Sequence, residues 1–237
     1  MQAVKMLVVL ILAVLLAGCG GSEKRNDSGQ IELSGEIARS SYAIGFNYGA
    51  NMRRLAGELD IDALVAGVND AYLGKEARIE AEEVAQRMQQ FQQDVMRRDQ
   101  ARLEEESSRN IAEGEAFRKA NGQKSEVTET ASGLQYAVIK PGDGASPKPS
   151  DRVTVHYHGT LVDGTVFDSS VQRGEPVTFR LDQLIPGWVE GIQLMKVGAK
   201  YRFVIPPELA YGKRGSPPRI GPDATLVFEV ELLGIEK

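Results

Sequence analysis

The sequence predicts an α+β protein: an N-terminal all-helical dimerisation module and long connecting helix, followed by a curled antiparallel β-sheet wrapped around one short α-helix. Three observations predict it. All ten prolines lie between Pro141 and Pro222, so the first 140 residues contain none. The proline-free part repeats its apolar residues at helical spacing, whereas the remainder repeats them with a period of two. At 237 residues, 42% hydrophobic and 26% charged, the chain has material for one large or two modest domains.

The first element is an export signal. Lys5 precedes the apolar run Met6 to Ala17, about 12 residues, which is too short for the roughly 20 that span a membrane. The run ends in "LLAGC", which resembles the bacterial lipobox, so residues 1–18 are expected to be cleaved and Cys19 to become a diacylated N-terminus. Cys19 is the one cysteine of the chain, which rules out an intrachain disulfide. Residues 19–30, "CGGSEKRNDSGQ", read as a lipidated cysteine on a short polar tether.

Residues 31–75 read as the helical dimerisation module. Ile37, Ser41, Ile44, Tyr48, Met52 and Leu55 recur at helical spacing, with Gly45 and Gly49 opening a neighbouring face to close approach. A second helix is expected from an Asp60 N-cap to Tyr72, with Ile61, Leu64, Val65 and Val68 inward and Gly74 as its stop. Residues 76–127 form the long connecting helix and linker. Val84, Met88, Phe91 and Val95 make a thin stripe that decays through "RRDQARLEEESSRN", too little to stabilise a lone helix in water. Either this is a solvated connector or the helical part pairs with a second copy of itself. Self-association is the better reading, because about 50 residues enclose little core.

The strand candidates of the second domain, residues 128–237, are Leu134–Ile139, Arg152–Leu161, Val177–Leu181, Lys200–Ile205 and Thr225–Leu233. They are rich in β-branched and aromatic residues and separated by turn sequences. Asp163-Gly164 signals a two-residue hairpin. One short helix fits, with Pro186 at its first position, Trp188, Ile192 and Met195 on one face, and Gly198 soon after its end.

Net charge of −5 and a pI near 5.3 give no basic field for phosphate backbones, so nucleic acid is not an expected partner. The stretch "YHGTLVDGTVFDSS" holds hydrolase-like residue types, but His156 and His158 lie on the strand face opposite Tyr157. With no third His or Cys in the domain, a metal site is not expected. Ser169 and Ser170 read as satisfying backbone groups in the turn. What remains is a concentration of rings near turns: Tyr157, Phe167, Phe179, Trp188, Tyr211 and Phe228.

The segments "VHYHGTLVDGTVFDSS", "RGEPVTFRL", "LIPGWVEGIQLMKVGAKYRFVIPPELAYG" and "IGPDATLVFEVELLGI" closely resemble the FKBP family of peptidyl-prolyl cis-trans isomerases across residues 133–236. With the lipobox and "SYAIGFNYG", the whole chain is similar to the macrophage infectivity potentiator type of bacterial envelope FKBP, a homodimer whose long helices separate two catalytic domains. The resemblance implies a proline pocket walled by Tyr157, Phe167, Val177, Ile185, Tyr211, Ile220 and Phe228, floored by Trp188, with Phe179 nearby. Asp168 and Arg173 form its polar rim, and the backbone N–H of Ile185 and the hydroxyl of Tyr211 receive substrate or macrolide carbonyls. Val177 stands where many members carry Phe, and Ser216 where His is common.

The resemblance implies no cofactor. It implies isomerisation of proline-containing polypeptides and unfolded envelope proteins, inhibition by macrolides such as rapamycin, and a lipid-anchored place on the outer membrane facing the periplasm. A holdase that binds such chains without turnover is the alternative. A purely structural lipoprotein would leave the rings unexplained.

Overall fold

A computed structural model of the chain describes residues 31–55 and 57–236. The signal segment and Cys19 lie outside the described residues. Among those residues no helix is long and apolar enough to cross a membrane. The chain divides between Ala81 and Glu82 into two compact units.

In the first unit, α1 (Glu36–Met52) runs into a 3-10 turn, Arg53–Leu55. Helix α2 (Ile61–Tyr72) begins where the sequence sets it, because the Asp60 carboxylate accepts the backbone N–H groups of Asp62 and Ala63 at 3.0 Å, replacing two partners that a helix start lacks. It stops before Gly74, whose φ of +67° reverses the chain. Asp70 accepts from Arg78 Nε at 2.6 Å and Lys75 Nζ at 3.3 Å, tying the following loop to the helix end. The inward placement of Ile61, Val65 and Val68 is corrected: all three are exposed, as are Ile37, Ile44 and Tyr48 of α1. Two short helices offer no second layer wide enough to bury either face.

Helix α3 (Ala81–Gly122), 42 residues and about 63 Å long, lies in the second unit from Glu82 onward. A seven-stranded antiparallel sheet follows: β1 (Val127–Glu129), β2 (Gln135–Lys140), β3 (Arg152–Leu161), β4 (Val166–Ser169), β5 (Val177–Arg180), β6 (Lys200–Ile205) and β7 (Leu226–Glu236). Their order is β1-β2-β6-β7-β3-β4, with β5 also on β3. The outer edge of β3 is thus shared: Arg152–Val155 pair with β5, and His158–Thr160 with β4. A short helix α4 (Ser170–Arg173) fills the corner. β1, β4 and α4 go beyond the elements expected from periodicity, being too short to show a period.

The Asp163-Gly164 hairpin is three residues long, not two. Leu161 donates to the Thr165 carbonyl, Gly164 to Leu161, and the Asp163 carboxylate accepts from the Thr165 N–H. Only Gly164 has positive φ, +88°, whereas the two-residue type I′ turn needs it at both positions.

Helix α5 (Pro186–Gln193) packs on the sheet through Trp188 and Ile192, both buried. Its approach is close because two glycines one turn apart face β6. A Cβ at Gly187 would fall 2.4 Å from Ile205 Cγ2, and one at Gly191 would fall 2.7 Å from the Phe203 ring. Leu134, Val153, Val155, Leu181, Ile192, Met195, Phe203, Leu226 and Val230 complete an apolar core.

Candidate active site

One end of this core opens into a cleft of about 550 Å³ lined by rings from five elements. β3 supplies Tyr157, β4 Phe167, β5 Phe179, α5 Trp188 and β7 Phe228. Trp188 is 4% exposed and meets its neighbours edge to face: Tyr157 at 5.4 Å and 82°, Phe228 at 5.1 Å and 81°, and Phe179 at 6.0 Å and 90°. Phe167 stands on Phe228 at 5.3 Å and 84°. Such T-shaped contacts match each ring's positive edge to another's negative face. Gly159 makes this possible, since a Cβ there would lie 2.7 Å from Phe167 and 2.8 Å from Phe228.

A polar triangle marks one rim. Tyr157 donates to Asp168 Oδ2 at 2.5 Å, Arg173 Nη1 donates to Asp168 Oδ1, and Arg173 Nη2 donates to the Tyr157 hydroxyl at 2.9 Å. Burial pushes the Asp168 carboxyl up, but the Tyr157 hydrogen bond and the Arg173 guanidinium outweigh it and hold the group below the ordinary carboxylate value. Burial pushes the Tyr157 hydroxyl up, reinforced by Asp168. The Tyr211 hydroxyl rises for the same two causes, burial first. Near neutrality the rim therefore carries one carboxylate and two protonated phenols.

The two serines that end "YHGTLVDGTVFDSS" do structural work. Ser170 Oγ lies in the gap between β4 and β5 on the β3 edge, accepting from the Tyr157 N–H at 2.8 Å and donating to the Tyr157 carbonyl at 3.3 Å. One hydroxyl thus replaces the strand partner that Tyr157 lacks there. Ser169 caps α4 by accepting from the Gln172 N–H. His156 and His158 contact Ser170 and Ser169 at 3.1 and 3.0 Å.

Of the residues expected at the site, Tyr157, Phe167, Asp168, Phe179, Ile185, Trp188, Tyr211, Ile220 and Phe228 line the cleft together. Two do not. Arg173 acts on it through Asp168 and Tyr157, while Val177, paired with Val155 at the start of β5, packs against the core. Gln183, Leu184, Pro217, Pro218 and Arg219 also line the cleft beyond the expected set; Leu184 begins "LIPGW", Gln183 precedes it, and the other three follow Ser216. Arg219 Nη1 donates to the Phe167 carbonyl at 2.9 Å, joining the loop to β4. The Trp188 indole N–H is buried, with no hydrogen-bond partner among the described residues.

The family model of FKBP-type peptidyl-prolyl cis-trans isomerases matches residues 144–233, and that of the domain amino terminal to these isomerases matches residues 37–138. An isomerase named FkpA from Aeromonas hydrophila is 48% identical over 206 residues, covering 84% of this chain and 76% of its own. "Outer membrane protein MIP" of Legionella longbeachae is 39% identical over 205 residues, 86% of this chain and 88% of that one. The crystal structure of FkpA from Escherichia coli superposes with a TM-score of 0.66 at 43% identity, covering 86% of this chain and 98% of that one. These names favour turnover over the binding-only alternative. The chain belongs to the FKBP-type peptidyl-prolyl cis-trans isomerase family.

Proposed function

We propose that rotation about an Xaa-Pro amide takes place in this cleft, with the proline ring over Trp188 and between Tyr157, Phe167, Ile220 and Phe228. The observation that carries this is a cavity walled by rings whose single carboxylate is already tied to two donors. Such a site has no activated nucleophile, and the reaction needs none. The barrier of about 18–20 kcal/mol comes from amide resonance. Planar resonance places charge on the carbonyl oxygen, so a wall without water disfavours the planar form relative to the twisted one. The Ile185 N–H, at the start of α5, and the Tyr211 hydroxyl, 41% exposed at the mouth, serve as donors to substrate carbonyls. They accelerate rotation only in so far as they fit the twisted geometry better. Asp168 and Arg173 orient the rim, and Phe179 closes the wall on the side where Val177 turns into the core.

Trp188 is the one tryptophan of the chain, so its fluorescence reports the cleft directly. Titration with rapamycin should quench it and abolish isomerisation of an Xaa-Pro tetrapeptide at the same stoichiometry. Full activity with Trp188 quenched would exclude this cleft as the site.

The exposed faces of α1 and α2 support a homodimer through residues 31–75. Light scattering that finds a monomer at micromolar concentration would end this reading. The substrates are proline-containing, incompletely folded envelope proteins. "LLAGC" supports a diacyl anchor on Cys19, stronger than a single chain provides. Gly20, where an Asp would resemble an inner-membrane retention signal, and the name of the Legionella relative support the outer membrane, periplasm-facing. Lipid labelling that persists in Cys19→Ser would refute the anchor.

A further inference from the structure

We infer that the last four turns of α3, from Ser107 to Asn121, are positioning elements of the catalytic site: they clamp the Ile220–Thr225 loop and thereby fix Ile220 in the cleft wall. The inference rests on the reading of the cleft given above. Ser107 Oγ donates to Asp223 Oδ2 at 2.6 Å, and Asn110 Nδ2 donates to the Pro222 carbonyl at 2.8 Å. Arg118 Nη1 donates to Thr225 Oγ1. The helix end is secured to the sheet by Asn121 Nδ2, which donates to Gln135 Oε1 at 2.9 Å, and by Gln135 Nε2, which donates to the Arg118 carbonyl at 2.9 Å.

Residues 107, 110, 114, 118 and 121 are spaced 3-4-4-3, one continuous face of the helix. Its middle member is Gly114, where a Cβ would fall 2.4 Å from Thr225 Oγ1, and at Gly221 one would fall 2.1 Å from Glu106 Oε1. The surfaces thus meet closely on both sides.

The loop needs an external hold. Asp223 carries a φ of +54°, a conformation that non-glycine residues seldom adopt without local support, and its carboxylate is the group Ser107 binds. Within the loop, Ser216 and Ile220 exchange backbone hydrogen bonds at 2.8 and 3.1 Å, and Asp223 N–H donates to Gly212 at 2.9 Å. Those bonds shape the turn, and α3 fixes where the turn stands against Phe228 and Trp188. Loosening it lowers the fraction f of molecules with Ile220 in place, so that the apparent Kd rises as 1/f with the chemistry untouched.

The test is Ser107→Ala with Asn110→Ala in the whole protein. Amide exchange at Ile220 and Asp223 should report a fall in f to about one third to one tenth, and KM for a Phe-Pro tetrapeptide should rise about three- to tenfold, as 1/f, at unchanged kcat. Ser107→Thr, which keeps the hydroxyl, should retain most of the wild-type exchange and KM that Ser107→Ala loses. Exchange that leaves f near 1 overturns the clamp whatever the activity does. Exchange that puts f at about one third or below with unchanged KM overturns its coupling to the cleft. Ile220→Ala in parallel tests the cleft itself: if its KM is normal, the reading of the site fails independently of the clamp.

Discussion

The two units use similar periodic signals and resolve them differently. In the sheet unit, Val153, Val155, Ile192 and Phe203 are fully buried by partners in the same chain. In the helical unit, Phe46 stays 68% exposed and Tyr72 88%, although the helix that ends at Tyr72 begins and ends where sequence rules put it. Periodicity therefore identifies the face that needs covering, but not what covers it. The sheet unit buries its apolar faces within the chain, and among the described residues the helical unit leaves its own exposed.

The contrast is broken most severely from the sheet side. Trp188→Ala or Phe228→Ala should cost about 3–5 kcal/mol in denaturant unfolding of the sheet unit, since each ring meets at least two others edge to face. A cost below 1 kcal/mol would mean that the ring cluster is not the core it resembles. Next come the rim groups. Asp168→Leu and Tyr211→Phe should each lower kcat/KM by about 1–3 kcal/mol of transition-state stabilisation, as lost oriented hydrogen bonds do. A loss of several orders of magnitude would instead indicate covalent or proton-transfer chemistry.

On the helical side, Asp60→Ala should cost about 1 kcal/mol of helix stability and leave tetrapeptide turnover unchanged, read by far-UV circular dichroism and by the peptide assay. The smallest effect is that of pH. Asp168 is held below its ordinary value near 4, so its contribution to folding is fully present above the unfolded pKa and is lost as pH falls through the lower folded one. Tyr157 and Tyr211 are pushed upward and remain protonated. Between pH 6 and 8, kcat/KM should change less than about twofold, in wild type and in His156→Ala and His158→Ala alike. A steep limb removed by either substitution would place a histidine in the chemistry.

Much of the fold was legible because long elements carry their own signal. β3 and β6 begin and end at the expected residues, and Asp60 and Gly74 bracket α2. β1 and β4, three and four residues long, are defined by partners and not by pattern. Most cleft residues were legible through ordered family motifs. Two kinds of residue were not: Gly159, whose value is an absent Cβ, and the Ser107–Asn121 face, where hydrophobic periodicity sees decay because the stripe continues in polar and small residues. Ser170 was read as satisfying backbone groups, but on its own turn and not on the β3 edge where it does so.

That face carries a consequence for the order of assembly. Residues 81–106 of α3 are dominated by Ala, Glu, Gln, Arg, Met and Leu, good helix formers, whereas Ser107, Ser108, Asn110, Gly114, Asn121 and Gly122 crowd the remainder with poor ones. Apart from the sheet this end is a weak helix, and its partners Asp223 and Thr225 lie 116 and 107 residues further along the chain. Synthesis from the N-terminus therefore makes the end of α3 long before the loop that steadies it. It takes its final form as a late step, after β7 has joined the sheet. A peptide spanning residues 100–122 should accordingly show little helix in water by circular dichroism, and strong helicity in isolation would reverse that order.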